Sequence, residues 1–349
     1  MLTIRKLVFA LLLSALSAGA DTRVTLLHFS DYHSHALPFH TDQGERGGLA
    51  RAMALLRKEK RAGALVFSGG DTINKGAPAW SDKYGCAEWP WLNGIVDAMA
   101  FGNHDADYGL PAFERCRAAV TYPILSANTS GFRGHAVFNV RGTRIGVFAV
   151  AGPDFPRLVN VPGLAFGDPV AAAREAVRVL RDEQDADAVV MIGHQDVQAD
   201  EQLARSVPGI DVIFGTHSHL ERGLTQIPGT TTAYISPSQY LTSISRVELT
   251  IADGRVKTVQ GTLIPVDASL PADRAVERRL RRMQRALERD PQYRELFTPI
   301  GRREAALSTA ALAQLTVETM RDVAKADVAL STRSSFRGPL PRPPLTHGG

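Results

Sequence analysis

The sequence predicts an α/β sandwich. Two observations carry that reading. Apolar runs of strand length alternate with amphipathic helical stretches. Run after run also closes on, or just before, polar residues that can ligate a metal or titrate, several of them behind a glycine. A buried strand that ends this way delivers side chains into a site at its carboxyl end. The leading example is Ala100-Phe101-Gly102-Asn103-His104-Asp105-Ala106-Asp107, entered from the apolar run Ile95 to Phe101. Asn103 offers a neutral amide oxygen, and His104 an imidazole near its neutral pKa. Asp107 can reach back to orient that imidazole. Alone, Gly-Asn-His-Asp is equally a polar turn; its recurrence along the chain decides the matter.

Length and composition set the frame. The chain has 349 residues, enough for two or three domains or one large domain with an appendage. Apolar content of 44% and charged content of 22% are those of an ordinary globular protein. The charge of +4 is mildly basic, with arginine partly concentrated in one late helical segment, so no nucleic-acid groove is implied. Arg5 and Lys6 precede an apolar stretch, Leu7 to Leu16, that is too short to span a bilayer comfortably. Ala18-Gly19-Ala20 fits a small-residue cleavage site. Residues 1–20 therefore read as a signal peptide, cleaved after Ala20 and sending the mature chain to a periplasm or outside the cell; an uncleaved anchor is the alternative. The only cysteines, Cys86 and Cys116, flank the strand that ends at Gly102. In an oxidising compartment the even count favours a bridge, and two buried thiols are the alternative.

In chain order, Arg23 to Phe29 reads as a buried strand ending at Ser30-Asp31-Tyr32-His33. Asp31 and His33 are two apart, so an extended backbone would point both to one side. His28 reads as a core histidine and His35 as a loop residue. Gly47 to Arg61 is a helix with an apolar stripe through Leu49, Met53 and Leu56, ended by Gly63. Ala64 to Ser68 is a strand closing on Gly69-Gly70-Asp71. Thr72 to Asn93 reads as an irregular packing loop or lid with Trp80, Trp89 and Trp91 as anchors. Leu110 to Ala119 is a helix, and Tyr122 to Ala127 a strand with Asn128 at its end. Ala136 to Val140 and Thr143 to Val150 form a hairpin through Arg141-Gly142. Pro169 to Glu183 is an amphipathic helix, and Asp187 to Ile192 a strand ending at Gly193-His194. Val207 to Phe214 leads through a strand to Gly215-Thr216-His217-Ser218-His219. Tyr234 to Ser236, Ile244 to Ile251 and Val256 to Pro265 read as antiparallel strands turning at Asp253-Gly254. Arg274 to Arg289 is a charged helix whose arginine face reads as solvated. Leu312 to Ala324 is a helix and Ala326 to Ser331 an apolar strand. Gly338 to Gly349 is rich in proline and glycine.

Asp31, His33, Asp71, Asn103, His194, His217 and His219 all fall just after predicted strands. Strand ends on one edge of a sheet converge in space. A mixed nitrogen and oxygen donor set with a carboxylate able to bridge suits two transition metals. Asp31-x-His33, Gly70-Asp71, Gly102-Asn103-His104-Asp105, Gly193-His194 and Gly215-x-His217-x-His219, in that order, resemble the calcineurin-like metallophosphoesterases, and more closely the secreted 5′-nucleotidase family. The resemblance covers about residues 23–265 and continues weakly over 297–345.

The resemblance implies a four-layer α/β/β/α metallophosphoesterase fold with an incomplete C-terminal nucleotidase domain. Residues 21–270 would be the catalytic domain, 271–296 a linker helix, and 297–349 the opening of the substrate domain. Asp31, His33, Asp71 and His219 would hold one divalent ion, and Asp71, Asn103, His194 and His217 the other. Zn, Mn, Co and Fe all suit such ligands. His104 would be the catalytic imidazole and Asp107 its orienting carboxylate, with Asn103, His104 and Arg337 touching substrate. The family's glycine-rich, arginine-terminated segment corresponds to Thr332-Arg333-Ser334-Ser335-Phe336-Arg337, where the arginine stands but the glycines do not. The implied function is hydrolysis of phosphomonoesters, foremost 5′-nucleotides, with water activated by the two ions. The partner is a small phosphoester, with no nucleic acid and no membrane after leader cleavage. The alternatives are another ester (a nucleotide-sugar, a cyclic nucleotide or a sulfur ester) and a metal-binding protein of little activity.

Overall fold

The computed structural model describes residues 21–76, 79–301, 307–332, 336 and 345–346. The leader expected over residues 1–20 lies outside them, as does Arg337. In the first half, strands β1 (Thr22–Phe29), β2 (Phe39–Thr41) and β3 (Gly44–Arg46) precede helix α1 (Leu49–Arg61). Next come β4 (Leu65–Ser68), α2 (Ala79–Tyr84), β5 (Ala98–Ala100), α3 (Leu110–Ala118) and β6 (Ile124–Leu125). In the second half, β7 (His135–Val140), β8 (Thr143–Phe148), α4 (Phe155–Leu158), α5 (Pro169–Arg178), β9 (Ala188–Met191), α6 (Val197–Ser206) and β10 (Val212–Phe214) lead to β11 (Glu221–Gln226) and β12 (Ala233–Pro237). The chain closes with β13 (Ser243–Ala252), β14 (Arg255–Pro265), α7 (Arg274–Glu288), β15 (Pro299–Gly301), α8 (Thr309–Ala324) and β16 (Leu345–Thr346).

Two six-stranded sheets pack face to face, in the orders β14-β13-β1-β4-β5-β6 and β11-β12-β10-β9-β8-β7. β1, β4, β5 and β6 run parallel, as do β8, β9, β10 and β12, while the flanking strands are antiparallel. The period-2 alternation of each strand sorts its residues between layers. Leu26, Phe67, Val190, Val212 and Phe214 fill the space between the sheets. Leu27, Phe29 and Val66 face outward onto α1 and α7, and Val189, Met191 and Ile213 onto α5 and α6. This is the expected α/β/β/α order. All parallel strands of one sheet end on the same edge, and that edge carries the site.

Local chemistry starts several helices. Asp168 caps α5 by accepting from the Ala171 N–H at 2.7 Å, with Pro169 at the first helical position. Asp273 caps α7 through the N–H groups of Ala275 and Val276. Helix α7 buries Val276, Leu280 and Leu287 in the outer core over the first sheet, and Arg279 lies 4.0 Å over the Trp91 ring.

Several expectations give way. The supposed irregular loop 72–93 contains α2 and a 3₁₀ turn at Trp89–Leu92: Trp80 is buried and donates to the Glu88 carboxyl, and Trp89 is buried against Phe113. The helix begun at Pro169 widens into a π-turn over Val179–Glu183. Helix α6, strand β11 and the β2–β3 hairpin were not anticipated. β12 does not join the antiparallel pair β13–β14: it lies in the other sheet, parallel to β10. Residues 326–331 form no strand, and Val328 and Leu330 are exposed. Their apolar character calls for a partner, and among the described residues none pairs with them. Cys86 and Cys116 are disulfide-bonded, tying the segment before β5 to α3. In the chain-entropy picture a loop of this size restricts the unfolded chain by about 3–4 kcal/mol.

Candidate functional site

The ends of β1, β4, β5, β9 and β10 bring the predicted residues together. Asp31 and His33 were expected to share a side of an extended backbone. Instead the chain leaves β-structure at Phe29, and both adopt left-handed conformations, with φ of 52° and 46°. The Asp31 N–H donates to Gly70 O at 3.1 Å and the His33 N–H to Asp71 O at 2.9 Å, so this turn is pinned to the end of β4. Asp71, His217 and His219 are also left-handed, at 50°, 55° and 53°. Each such residue costs on the order of 1 kcal/mol or more, a strain that surrounding structure sustains at functional sites. Gly70 has φ +87°, and a Cβ there would lie 2.7 Å from the Gly102 nitrogen, so only glycine lets the two motif loops meet.

Donor atoms converge in overlapping groups: Asp31, His33 and His219; His33, Asp71 and His104; and Asp71, His194 and His217. Nε2 of His33 is 3.1 Å from Nε2 of His219. Nε2 of His219 lies 3.3 Å from Asp31 Oδ1. Nε2 of His194 lies 3.2 Å from Asp71 Oδ2 and 3.9 Å from Asp31 Oδ1. Asp71 stands in two of the groups, where a shared carboxylate is needed.

The electrostatics ask for cations. Asp31 and Asp71 are fully buried, and among the described residues their ion-pair partners are imidazoles alone. Burial would raise both carboxyls, but bonds to and charges on the surrounding histidines outweigh it and lower them. Burial would lower His194, yet Asp71, Asp31 and the Gly69 carbonyl drive it up to about 10. Burial prevails at His33 and lowers it to about 4. Asp31 Oδ1, Asn103 Oδ1 and His194 Nε2 are buried without a hydrogen-bond partner. Buried polar atoms left without partners among such ligand types are the arrangement metal ions satisfy. The residues present fit such ions.

His104 sits beside this cluster, its ring edge-on to His33 at 5.2 Å. Its Nδ1–H donates to Asp107 Oδ2 at 2.8 Å, and its backbone N–H donates to Asp71 Oδ1 at 2.8 Å. Burial lowers the imidazole, but the Asp107 bond and the charges of Asp71, Asp107 and Asp105 prevail and raise it. A partly exposed imidazole whose proton is held more tightly than usual beside a donor cluster can act as a general acid.

Sequence reasoning assigned no role to two residues. Asp105 is buried and accepts from the Asp71 N–H (3.1 Å), the Thr72 N–H (2.9 Å), the Thr72 hydroxyl (2.7 Å) and the Gly102 N–H (2.8 Å). It thereby ties the loops after β4 and β5 into one unit. Asp154 follows the end of β8, and its Oδ2 accepts from His217 Nε2 at 3.1 Å. The signal was present: Val150-Ala151-Gly152-Pro153-Asp154 is again an apolar strand, a glycine and a carboxylate. His28 is buried and stacked on Phe214, a core histidine as read. His35 stacks on Tyr240 with ring centres 3.6 Å apart. A groove of about 770 Å³ leads away from His219 past Phe39 and Tyr240 to Thr309 and Phe336.

Residues 24–221 match the family model described as Calcineurin-like phosphoesterase. The chain is 27% identical to the protein UshA of Yersinia enterocolitica over 322 residues, covering 79% of this chain and 58% of that one. It is 28% identical to a 5′-nucleotidase of Vibrio cholerae over 229 residues, covering 58% of this chain and 41% of the relative. It thus spans little more than half of the first of these relatives and less of the second. The crystal structure of a 5′-nucleotidase precursor from Thermus thermophilus superposes with a TM-score of 0.77 at 24% identity, over 94% of this chain and 72% of that one. The sulfate thiohydrolase SoxB from Thermus thermophilus has the same fold, with a TM-score of 0.73 at 23% identity over 86% of this chain and 68% of that one.

Proposed function

The chain belongs to the calcineurin-like phosphoesterase family, and from that premise we propose that it hydrolyses phosphomonoesters, with 5′-nucleotides as the leading substrate class. The observation that carries the reading is the position of Asp71. It lies between the imidazoles of His33 and His194 and also accepts the backbone N–H of His104, so ligand cluster and proton donor are one assembly.

In this reading Asp31, His33, Asp71 and His219 hold one divalent cation and Asp71, Asn103, His194 and His217 a second, with Zn, Mn, Co and Fe all compatible. When bound, the ions supply activation of water and neutralisation of phosphoryl charge. The chain's own residues do the rest. Asp107 fixes the ring of His104 through Nδ1, so that Nε2 is the atom that meets substrate. His104 stabilises developing negative charge or hands its proton to the leaving alkoxide. Asp105 holds the Asp71 and Asn103 loops in register. The groove past Tyr240 receives the alcohol portion, and Arg337 contributes a further contact. The domain division is part of the same proposal: a leader over 1–20 that directs export, a catalytic unit over 21–270, a linking helix over 271–296, and residues 297–349 as part of a substrate-binding unit.

The test is hydrolysis of AMP, UDP-glucose and an aryl phosphate by the chain from Asp21, with added Mn or Zn and a chelator control. Chelator-sensitive AMP turnover is expected. His104→Ala should lose about 10³-fold in kcat while binding metal as before. Near-normal turnover by that variant, or turnover that chelator leaves intact, overturns the mechanism.

A further inference from the structure

Building on the reading that His217 holds a cation, we propose that Asp154 is a positioning residue for it. Asp154 accepts the Nε2–H of His217 and so makes Nδ1 the ligating nitrogen, the reverse of the other histidines in the cluster. His33 and His219 turn Nε2 towards each other at 3.1 Å. His194 gives its Nδ1–H to the Gly69 carbonyl at 2.7 Å and keeps Nε2 for the centre. Nε2 of His194 and of His219 face Asp71 and Asp31, carboxylates of the ligand set itself, whereas Nε2 of His217 lies 3.1 Å from Oδ2 of Asp154, a carboxylate outside that set. One nitrogen of a neutral imidazole carries the proton and the other the lone pair, so the outer partner selects the ligating atom.

Asp154 is held for that task. Ala151 pairs with His194 in a parallel bridge, and the Gly152 N–H donates to His194 O at 2.8 Å. The carboxylate is therefore anchored by its own backbone to one ligand and by its side chain to another. Phe155, fully buried, sets its ring edge against His194 at 6.0 Å and stops the segment from sliding. A Cβ on Gly152 would lie 2.7 Å from Asp154 Oδ1, so glycine makes room for the carboxylate to fold back. Oδ1 is buried without a hydrogen-bond partner, which leaves the charge directed at His217. Asp196 also lies near His217, but its Oδ1 accepts from the Ser218 hydroxyl at 3.1 Å.

The first readout needs no metal. In the chain from Asp21 with ¹⁵N-labelled histidine and chelator present, long-range ¹H–¹⁵N spectra at about pH 8 should show His217 as the Nε2–H tautomer. Asp154→Ala should lose that bias. Titration calorimetry with Zn²⁺ should then show two sites in the wild type, one of them weakened about 10- to 100-fold in Asp154→Ala and the other within about twofold. Asp154→Asn keeps the volume without the charge and should fall between, and it carries the test if the alanine variant does not fold. An unchanged tautomer with unchanged affinities overturns the proposal. So does a third cation in the wild type that Asp154→Ala loses, because Asp154 would then be a ligand. Failure of the wild type to bind any cation overturns the reading of the centre itself, and that result precedes any variant.

Discussion

Two imidazole–carboxylate pairs lie at this site, and they differ in more than position. His104 and Asp107 meet at 2.8 Å through Nδ1, three residues apart in sequence. His217 and Asp154 meet at 3.1 Å through Nε2, sixty-three residues apart. The first pair comes from one turn after β5, and its ring is about one-third exposed. The second comes from two strands of the other sheet, and its ring lies within reach of Asp71 and His194. In the proposed reading the same chemical pair is a proton donor at the more exposed ring and a ligand support at the less exposed one. The neighbours assign the role.

Breaking the first pair should have the largest effect. Asp107→Asn keeps the shape but removes the charge that orients and holds the His104 proton, and kcat should fall about 10²-fold or more while metal stoichiometry stays intact. A loss of metal instead of turnover, read by calorimetry beside the rate, would show that the two pairs are not separated as described.

A buried carboxyl with no imidazole sharpens the contrast. Glu88 is 2% exposed and accepts from Trp80 Nε1 and from the Tyr32 hydroxyl. Burial pushes it from 4.5 up to about 7, against the pull of those donors. The folded state therefore binds this proton more tightly than the unfolded one. Its contribution to stability is fully present below about pH 4.5, falls as pH rises through about 7, and then levels, a span of roughly 3 kcal/mol. Glu88→Gln should remove that slope. Urea midpoints at pH values either side of the window should converge for the variant and diverge for the wild type; parallel profiles would mean that Glu88 stays ionised when buried.

Most of the centre was legible in the sequence because a strand followed by glycine and a ligand is a local signature. Asp71, Asn103, His194, His217 and His219 carry it, Asp31 and His33 follow their strand without the glycine, and the structure brings the donor atoms of Asp31, His33, Asp71, His194, His217 and His219 into overlapping groups. Asp154 carries it too, yet an aspartate after a glycine and a proline equally describes a turn. Helix α6 was hidden because its buried face holds Asp200 beside Leu203 and Ala204, a thin apolar stripe. The strand expected over residues 326–331 shows the opposite error, since an apolar run specifies a wish for burial and not the partner that grants it.

By itself the sequence determined the alternation of strands and helices, the ligand types and their order along the chain, because periodicity and side-chain chemistry are local. Which sheet β12 joins was decided by tertiary structure, since that depends on pairing between segments far apart. So was the turn that replaces extended backbone at Asp31 and His33. It exists because hydrogen bonds from the Asp31 and His33 N–H groups to the Gly70 and Asp71 carbonyls hold two left-handed residues that the local chain disfavours. The nitrogen that His217 presents is likewise set across space, by a carboxylate that only folding brings within 3.1 Å.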